Sequence, residues 1–196
     1  MTDIILIKYP TDDDWVVCRN NALTTQRRAS TKPPSSDWKT KILIAEHSPI
    51  RSLEFIWEWR DLPSWVSVHF VRHHEGITHF VSSQRNDIQK LYDRRKAPQD
   101  TPVNHRCVAS AQALLNISRA RTCFNASLET RNAWNSLLAS LQPVAPELFA
   151  LCVPPCVFRN GICPEVFKQC GYNETKVFNL RMGEYLNVLT KHTKVT

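Results

Sequence analysis

Arg72, His73 and His74 stand together directly after an apolar, aromatic segment, Trp65 to Val71. Seven residues further on come Ser82 and Ser83, followed by Gln84, Arg85, Asn86 and Asp87. Burying such groups without partners is costly, about 2–7 kcal/mol even for a neutral polar one. The run therefore predicts a site that meets something anionic or strongly polar. A second group lies in SAQALLNISRAR, residues 110–121. On a helix Gln112 and Asn116 share a face, while Asn116 and Arg121 point about 140° apart, which suits two ligands or two subunits. A third group is Cys152, Cys156, Cys163 and Cys170, with three, six and six residues between successive members. Four thiolates could hold a structural zinc. The tight C-x-x-C pairs of such sites are absent, and reduced thiols packed under a proline-rich loop are the alternative.

These side chains need a scaffold. Ile4 to Ile7 reads as a first strand, closed by Pro10 and the acidic Asp12–Asp14. Trp15 to Thr25 reads as a helix, residues 29–37 as a loop, and Trp38 to Glu46 as a short helix capped by Asp37. From Leu53 to Arg60, Leu53, Phe55, Trp57 and Trp59 alternate with Glu54, Glu58 and Arg60, Ile56 being the exception; this is a half-buried strand. Asp61 to Pro63 turns the chain, and a helix over Trp65 to Arg72 ends by presenting Arg72–His74. Thr78 to Ser83 is extended, and Ile88 to Tyr92 is short and amphipathic. From about Asn104 the pattern is helical, broken near Asn125 and ended by Pro143 and Pro146, and a last amphipathic helix carries Val177, Leu180, Tyr185, Leu186 and Leu189.

The signature Arg72-His73-His74, seven residues, then Ser82 resembles that of the flavin-dependent thymidylate synthases (thymidylate synthase complementing proteins), with His at its third position. Asn116 and Arg121 match the end of a second family segment, with Ser110 and Gln112 where the family has Asn and Arg. Ala126–Arg131 and the later VAPELFALCVPPC extend the likeness, so that it covers roughly residues 47–171. SPIRSLEF replaces the family's Glu-His pair, leaving Arg51 or Ser52 to substitute.

The resemblance implies an α+β fold, a small, largely antiparallel sheet packed with helices, as one domain over residues 1–171 with a C-terminal helical extension over 172–196. It implies FAD as cofactor, held by Arg72, His73, His74, Asn116 and Gln112. It implies a pyrimidine deoxynucleotide bound by His69, Ser82, Ser83, Arg85, Arg94 and Arg121, with Arg121 and Ser82 at the reacting base. The chemistry would be reductive methylation of dUMP to dTMP, with NADPH and methylenetetrahydrofolate as co-substrates, in a homotetramer with shared sites. His74, His69 and Phe80 depart from the family near that base, which predicts methylation that is slow, pH-sensitive or redirected to a related pyrimidine. The alternative is a non-catalytic or repurposed relative that binds nucleotide or nucleic acid.

The 196 residues suit one domain. A net charge of +7 favours an anionic partner, but the lack of aromatic–basic interleaving argues against single-stranded nucleic acid. With no secretory leader and no long apolar run, the chain reads as a cytoplasmic protein away from membranes, its seven cysteines reduced.

Overall fold

The computed structural model describes residues 3–88 and 93–193. Four strands form one antiparallel sheet: β1 (Asp3–Lys8), β2 (Glu54–Pro63), β3 (Ile77–Val81) and β4 (Pro102–Ser110), in the order β1-β2-β4-β3. The alternation read along β2 is what folds it. Phe55, Trp57 and Trp59 are fully buried on one face, and Ile56 and Glu58 fall on the other, which resolves the Ile56 exception. The strand continues past the expected turn through a bulge between Trp59 and Leu62, where Asp61 takes a positive φ of 52°.

β4 corrects the sequence reading, which made this stretch the start of a helix. Val103, His105, Cys107 and Ala109 are buried and alternate with exposed or half-buried neighbours, a period-two pattern concealed by its polar residue types. The helix begins only after Ser110, whose hydroxyl accepts from the Ala113 N–H as its cap.

Eight helices are found among the described residues: α1 (Asp12–Leu23), α2 (Ser36–Ile44), α3 (Ser64–Val71), α4 (Ala111–Arg121), α5 (Leu128–Leu141), α6 (Pro146–Leu151), α7 (Pro155–Phe158) and α8 (Lys176–His192). Thr11 and Asp14 close a capping box on α1. Ser35, not Asp37, caps α2; Asp37 sits in its first turn, paired with Lys41 and His192. Pro146 opens α6 rather than ending α5. The segment read over Ile88 to Tyr92 lies, from residue 89 on, outside the described residues.

The helices cover one face of the sheet. Trp57, Trp59, Phe70 and Trp134 form an aromatic cluster, with Trp59 stacked on Phe70 at 4.4 Å. Trp59 Nε1 donates to the Ala133 carbonyl and Trp134 Nε1 to Ser118 Oγ, each at 3.0 Å. This ties α4 and α5 to the sheet and so fixes where Asn116 and Arg121 point. Phe178, Met182 and Tyr185 of α8 are buried in the same core. No described helix is long and apolar enough to cross a membrane.

Candidate functional site

The end of α3 and the end of α4 meet. Arg121 Nε donates to His73 Nε2 and Arg121 Nη2 to the His69 carbonyl, both at 2.7 Å. Burial, and after it the neighbouring Arg121 guanidinium, pushes the His73 imidazole down to about 4, so the ring is neutral near pH 7. Since its Nε2 accepts, the proton of the neutral ring sits on Nδ1. Arg121 is half-buried and its acidity rises for the same reasons, desolvation first and Arg72 second.

Behind this pair lies a chain of histidines that the sequence reading missed. His79 Nε2 is 2.7 Å from the His73 carbonyl, so it carries a proton and donates. Its Nδ1 then accepts from His105 Nε2 at 2.9 Å, and His105 Nδ1 accepts from the Ser67 hydroxyl at 3.0 Å. One neutral tautomer per ring satisfies every member. His105 is fully buried against Trp59, and burial pushes its imidazole down to about 4. Cys107 Sγ lies 3.4 Å from His79 Nδ1, and burial pushes its thiol up. The signal for these residues was the alternation of β4, legible only once a neutral histidine is admitted as a core residue.

On one side of the pair opens a cleft of about 750 Å³. His74, Gln112 and Asn116 line it, together with Arg51, Ser52, Glu54 and Glu75. Gly76 is required here. Its φ is +70°, and an added Cβ would lie 2.9 Å from Ser110 Oγ and 3.3 Å from the Ala113 Cβ. Gln112 Nε2 donates to Glu46 at 2.6 Å and to Asn116 Oδ1 at 3.3 Å. Arg119, stacked over Phe158, closes this network on Glu46. Glu46 and Arg119 also escaped the sequence reading; Glu46 holds its place just beyond α2 with a positive φ of 49°.

Against α3 a separate groove of about 450 Å³ gathers Ser82, Ser83, Arg85 and Arg94. Ser82 Oγ accepts from the Asn104 N–H at 3.0 Å, which leaves its own proton free to donate. Arg85 pairs with Asp87. No residue lines both cavities.

The predicted residues therefore fall in three places: His74, Gln112 and Asn116 in the cleft, His73 and Arg121 paired with the His69 carbonyl, and the serines with Arg85 and Arg94 in the groove. Arg72 is exposed at the cap of α3. Phe80 lies on the uncovered side of the sheet, in a pocket with Ile7, Ile56, Arg106 and Ser82, and the His69 ring packs edge-on against Trp65. Among the described residues, no three of the four C-terminal cysteines bring their sulfurs within 4.8 Å of one another. Cys152 and Cys156 are buried, Cys163 half-buried and Cys170 exposed, and all seven cysteines are free. Among the described residues, the one His/Cys/Asp/Glu group with its donor atoms all within 4.8 Å is His79, His105 and Cys107.

This arrangement is the α+β fold of the flavin-dependent thymidylate synthases, as the sequence resemblance implied. No family profile matches the chain. A stretch of 62 residues is 44% identical to a flavin-dependent thymidylate synthase of Clostridium tetani, spanning 32% of this chain but only 24% of that relative. Thymidylate synthase X of Helicobacter pylori, solved with FAD and dUMP, superposes with a TM-score of 0.61 at 15% identity, over 77% of this chain and 99% of that one. A UMP/dUMP methylase of Streptomyces cacaoi, solved with 5-Br dUMP, superposes with a TM-score of 0.60 at 12% identity, over 79% and 98% respectively.

Proposed function

We propose that this chain binds FAD and a deoxyuridylate-like nucleotide and methylates the pyrimidine ring, with methylenetetrahydrofolate as carbon donor and NADPH as reductant. The observation that carries the reading is the contact of Arg121 with signature residue His73, which joins the two segments resembling the family at one point of the fold. The solved proteins of this fold that hold FAD, dUMP or 5-Br dUMP support it.

The cleft fits a dinucleotide cofactor in chemistry. Arg51 offers positive charge, and His74, Gln112 and Asn116 offer polar groups beside the Glu54 and Glu75 carboxylates, Glu54 being paired with Lys8, with Arg72 at the neighbouring helix end. Bound there, reduced flavin would supply the hydride. Gln112 is already oriented by Glu46, and Asn116 by Gln112 and Arg119, so little freedom is lost when they bind. His73 keeps Nδ1–H as a donor while its Nε2 holds the Arg121 guanidinium in one plane. Arg121 then presents its remaining N–H groups to an electron-rich uracil oxygen or a phosphate. In the groove, Ser82 and Ser83 would take the nucleotide, and Arg85 would exchange Asp87 for phosphate beside Arg94. Because no residue lines both cleft and groove, this reading has each complete site drawing on more than one chain, in a homotetramer with shared sites.

Release of tritium from 5-tritiated dUMP, with FAD, NADPH and methylenetetrahydrofolate, tests the proposal. Turnover that is lost in Arg121→Ala is the expected result. Tight dUMP binding without release would redirect the reading to a related pyrimidine, and neither binding nor release would refute it.

A further inference from the structure

We propose that His79, His105 and Cys107 form a binding site for a divalent transition metal of zinc type, built into the inner face of the sheet. The site is independent of the flavin reading and distinct from the C-terminal cysteines.

The sheet assembles the three donors. His105 and Cys107 are two apart on β4 and share its buried face, and His79 on β3 is the register partner of Cys107. The inward atoms converge: His79 Nδ1 is 2.9 Å from His105 Nε2 and 3.4 Å from Cys107 Sγ. Two donors sharing a tetrahedral zinc at Zn–N of about 2.0–2.1 Å and Zn–S of about 2.3 Å stand about 3.3 Å (N to N) or 3.6 Å (N to S) apart. The two pairs made by His79 must therefore open by less than about half an ångström, and the third pair, His105 with Cys107, lies within 4.8 Å. β3 is the edge of the sheet and His79 is only half-buried, which provides both the slack and the route of entry.

The outward ring nitrogens are the second observation. A metal-bound histidine gives its other N–H to a carbonyl, carboxylate or water. His79 Nε2 has the His73 carbonyl at 2.7 Å, and His105 Nδ1 has Ser67 Oγ at 3.0 Å. Both rings are thus held from behind with their remaining nitrogens turned toward each other and the thiol. On binding, the Cys107 thiol loses its proton to solvent and sulfur bonds the metal. The His105 proton moves from Nε2 to Nδ1, and Ser67 changes from donor to acceptor. Two imidazoles and a thiolate, with no carboxylate, select zinc, cobalt or copper over magnesium or calcium. Three protein donors leave a fourth position for water or a small anion. The metal would clamp edge strand β3 to β4 and, through the His73 carbonyl, to the end of α3.

The test is a cobalt titration of the chelator-treated full-length protein, followed by competition with zinc. The expected result is one equivalent of Co²⁺ with thiolate-to-cobalt charge-transfer and tetrahedral ligand-field bands. These should be lost in Cys107→Ala and weakened more than about 100-fold in His79→Gln. Ser67→Ala, which removes only an outer partner, should weaken binding about 10–100-fold, and Cys163→Ser should leave it unchanged. Circular dichroism verifies the fold of each variant, and His79→Gln at the half-buried edge carries the test if Cys107→Ala does not fold. Absence of a cobalt–thiolate spectrum in folded wild-type protein would overturn the proposal. So would a spectrum that survives Cys107→Ala or falls with Cys163→Ser.

Discussion

Replacing Arg121 with lysine separates what this residue does by charge from what it does by shape. Of the five guanidinium N–H groups, two are spent on His73 Nε2 and the His69 carbonyl, each at 2.7 Å. Lysine keeps the charge, but its single ammonium on a flexible stem cannot hold both acceptors from one position. Losing a charge-assisted hydrogen bond costs about 1.5–3 kcal/mol. Because the side chain is half-buried and water re-solvates part of the gap, the expected loss of stability is roughly 1–2 kcal/mol. The three remaining N–H groups lose their fixed direction as well, so dUMP affinity should fall by about 1.5–3 kcal/mol, or roughly 10- to 150-fold. Urea unfolding gives the first quantity, and calorimetric titration of dUMP into FAD-loaded protein gives the second. FAD affinity should change less than threefold. Arg121→Lys behaving as wild type in both measurements would refute the argument from shape. Equal loss of FAD and dUMP would show that Arg121 only holds the fold together.

Other positions carry equally definite expectations. Gly76→Ala forces a left-handed backbone on alanine, about 1–2 kcal/mol, and pushes on the Ser110 cap of α4; unfolding midpoint and FAD affinity should fall together. Trp57 Nε1 is buried with no hydrogen-bond partner among the described residues, whereas Trp59 Nε1 donates to Ala133. Trp59→Phe should therefore destabilise by about 1 kcal/mol more than Trp57→Phe in urea. The Glu58 carboxyl is held below its usual range by Arg106 first and Arg60 second. A depressed carboxyl contributes stability above its unfolded value, and that stability is lost as pH falls through the folded value. Glu58→Gln should lower stability at neutral pH, where the charged carboxylate contributes, and flatten the acid limb of a pH–stability curve below about pH 4.5.

How much was legible in the sequence follows from which forces are local. The alternation along β2 and the faces of α4 are local, and they placed Trp57, Trp59, Asn116 and Arg121 correctly. β4 was not legible as a strand, because its inward positions include a histidine and a cysteine and it runs into α4 with no breaker. What makes His105 a core residue is the aromatic surface of Trp59 and Phe70 and a relay of neutral hydrogen bonds, all supplied by distant segments. The same holds for Glu46, whose partners Gln112 and Arg119 lie 66 and 73 positions away. The motif gathered His74, Ser82 and Arg85 on one stretch of chain, but they line separate cavities. Phe80 falls on the uncovered side of the sheet, in a pocket it shares with Ser82; a strand alternates faces, and the motif spacing does not show which face a position takes.

Ligand binding to the purified protein tests most directly whether the chain carries a flavin cleft and a separate nucleotide groove. Chromophore released by acid from natively purified protein, or FAD added back, is followed by its absorption and by fluorescence quenching, with dUMP then titrated in. The account predicts one FAD per chain, a flavin spectrum perturbed by dUMP, and loss of FAD binding in Asn116→Ala with His74→Ala. No association with FAD at millimolar concentration, in protein that is folded by circular dichroism, would contradict it.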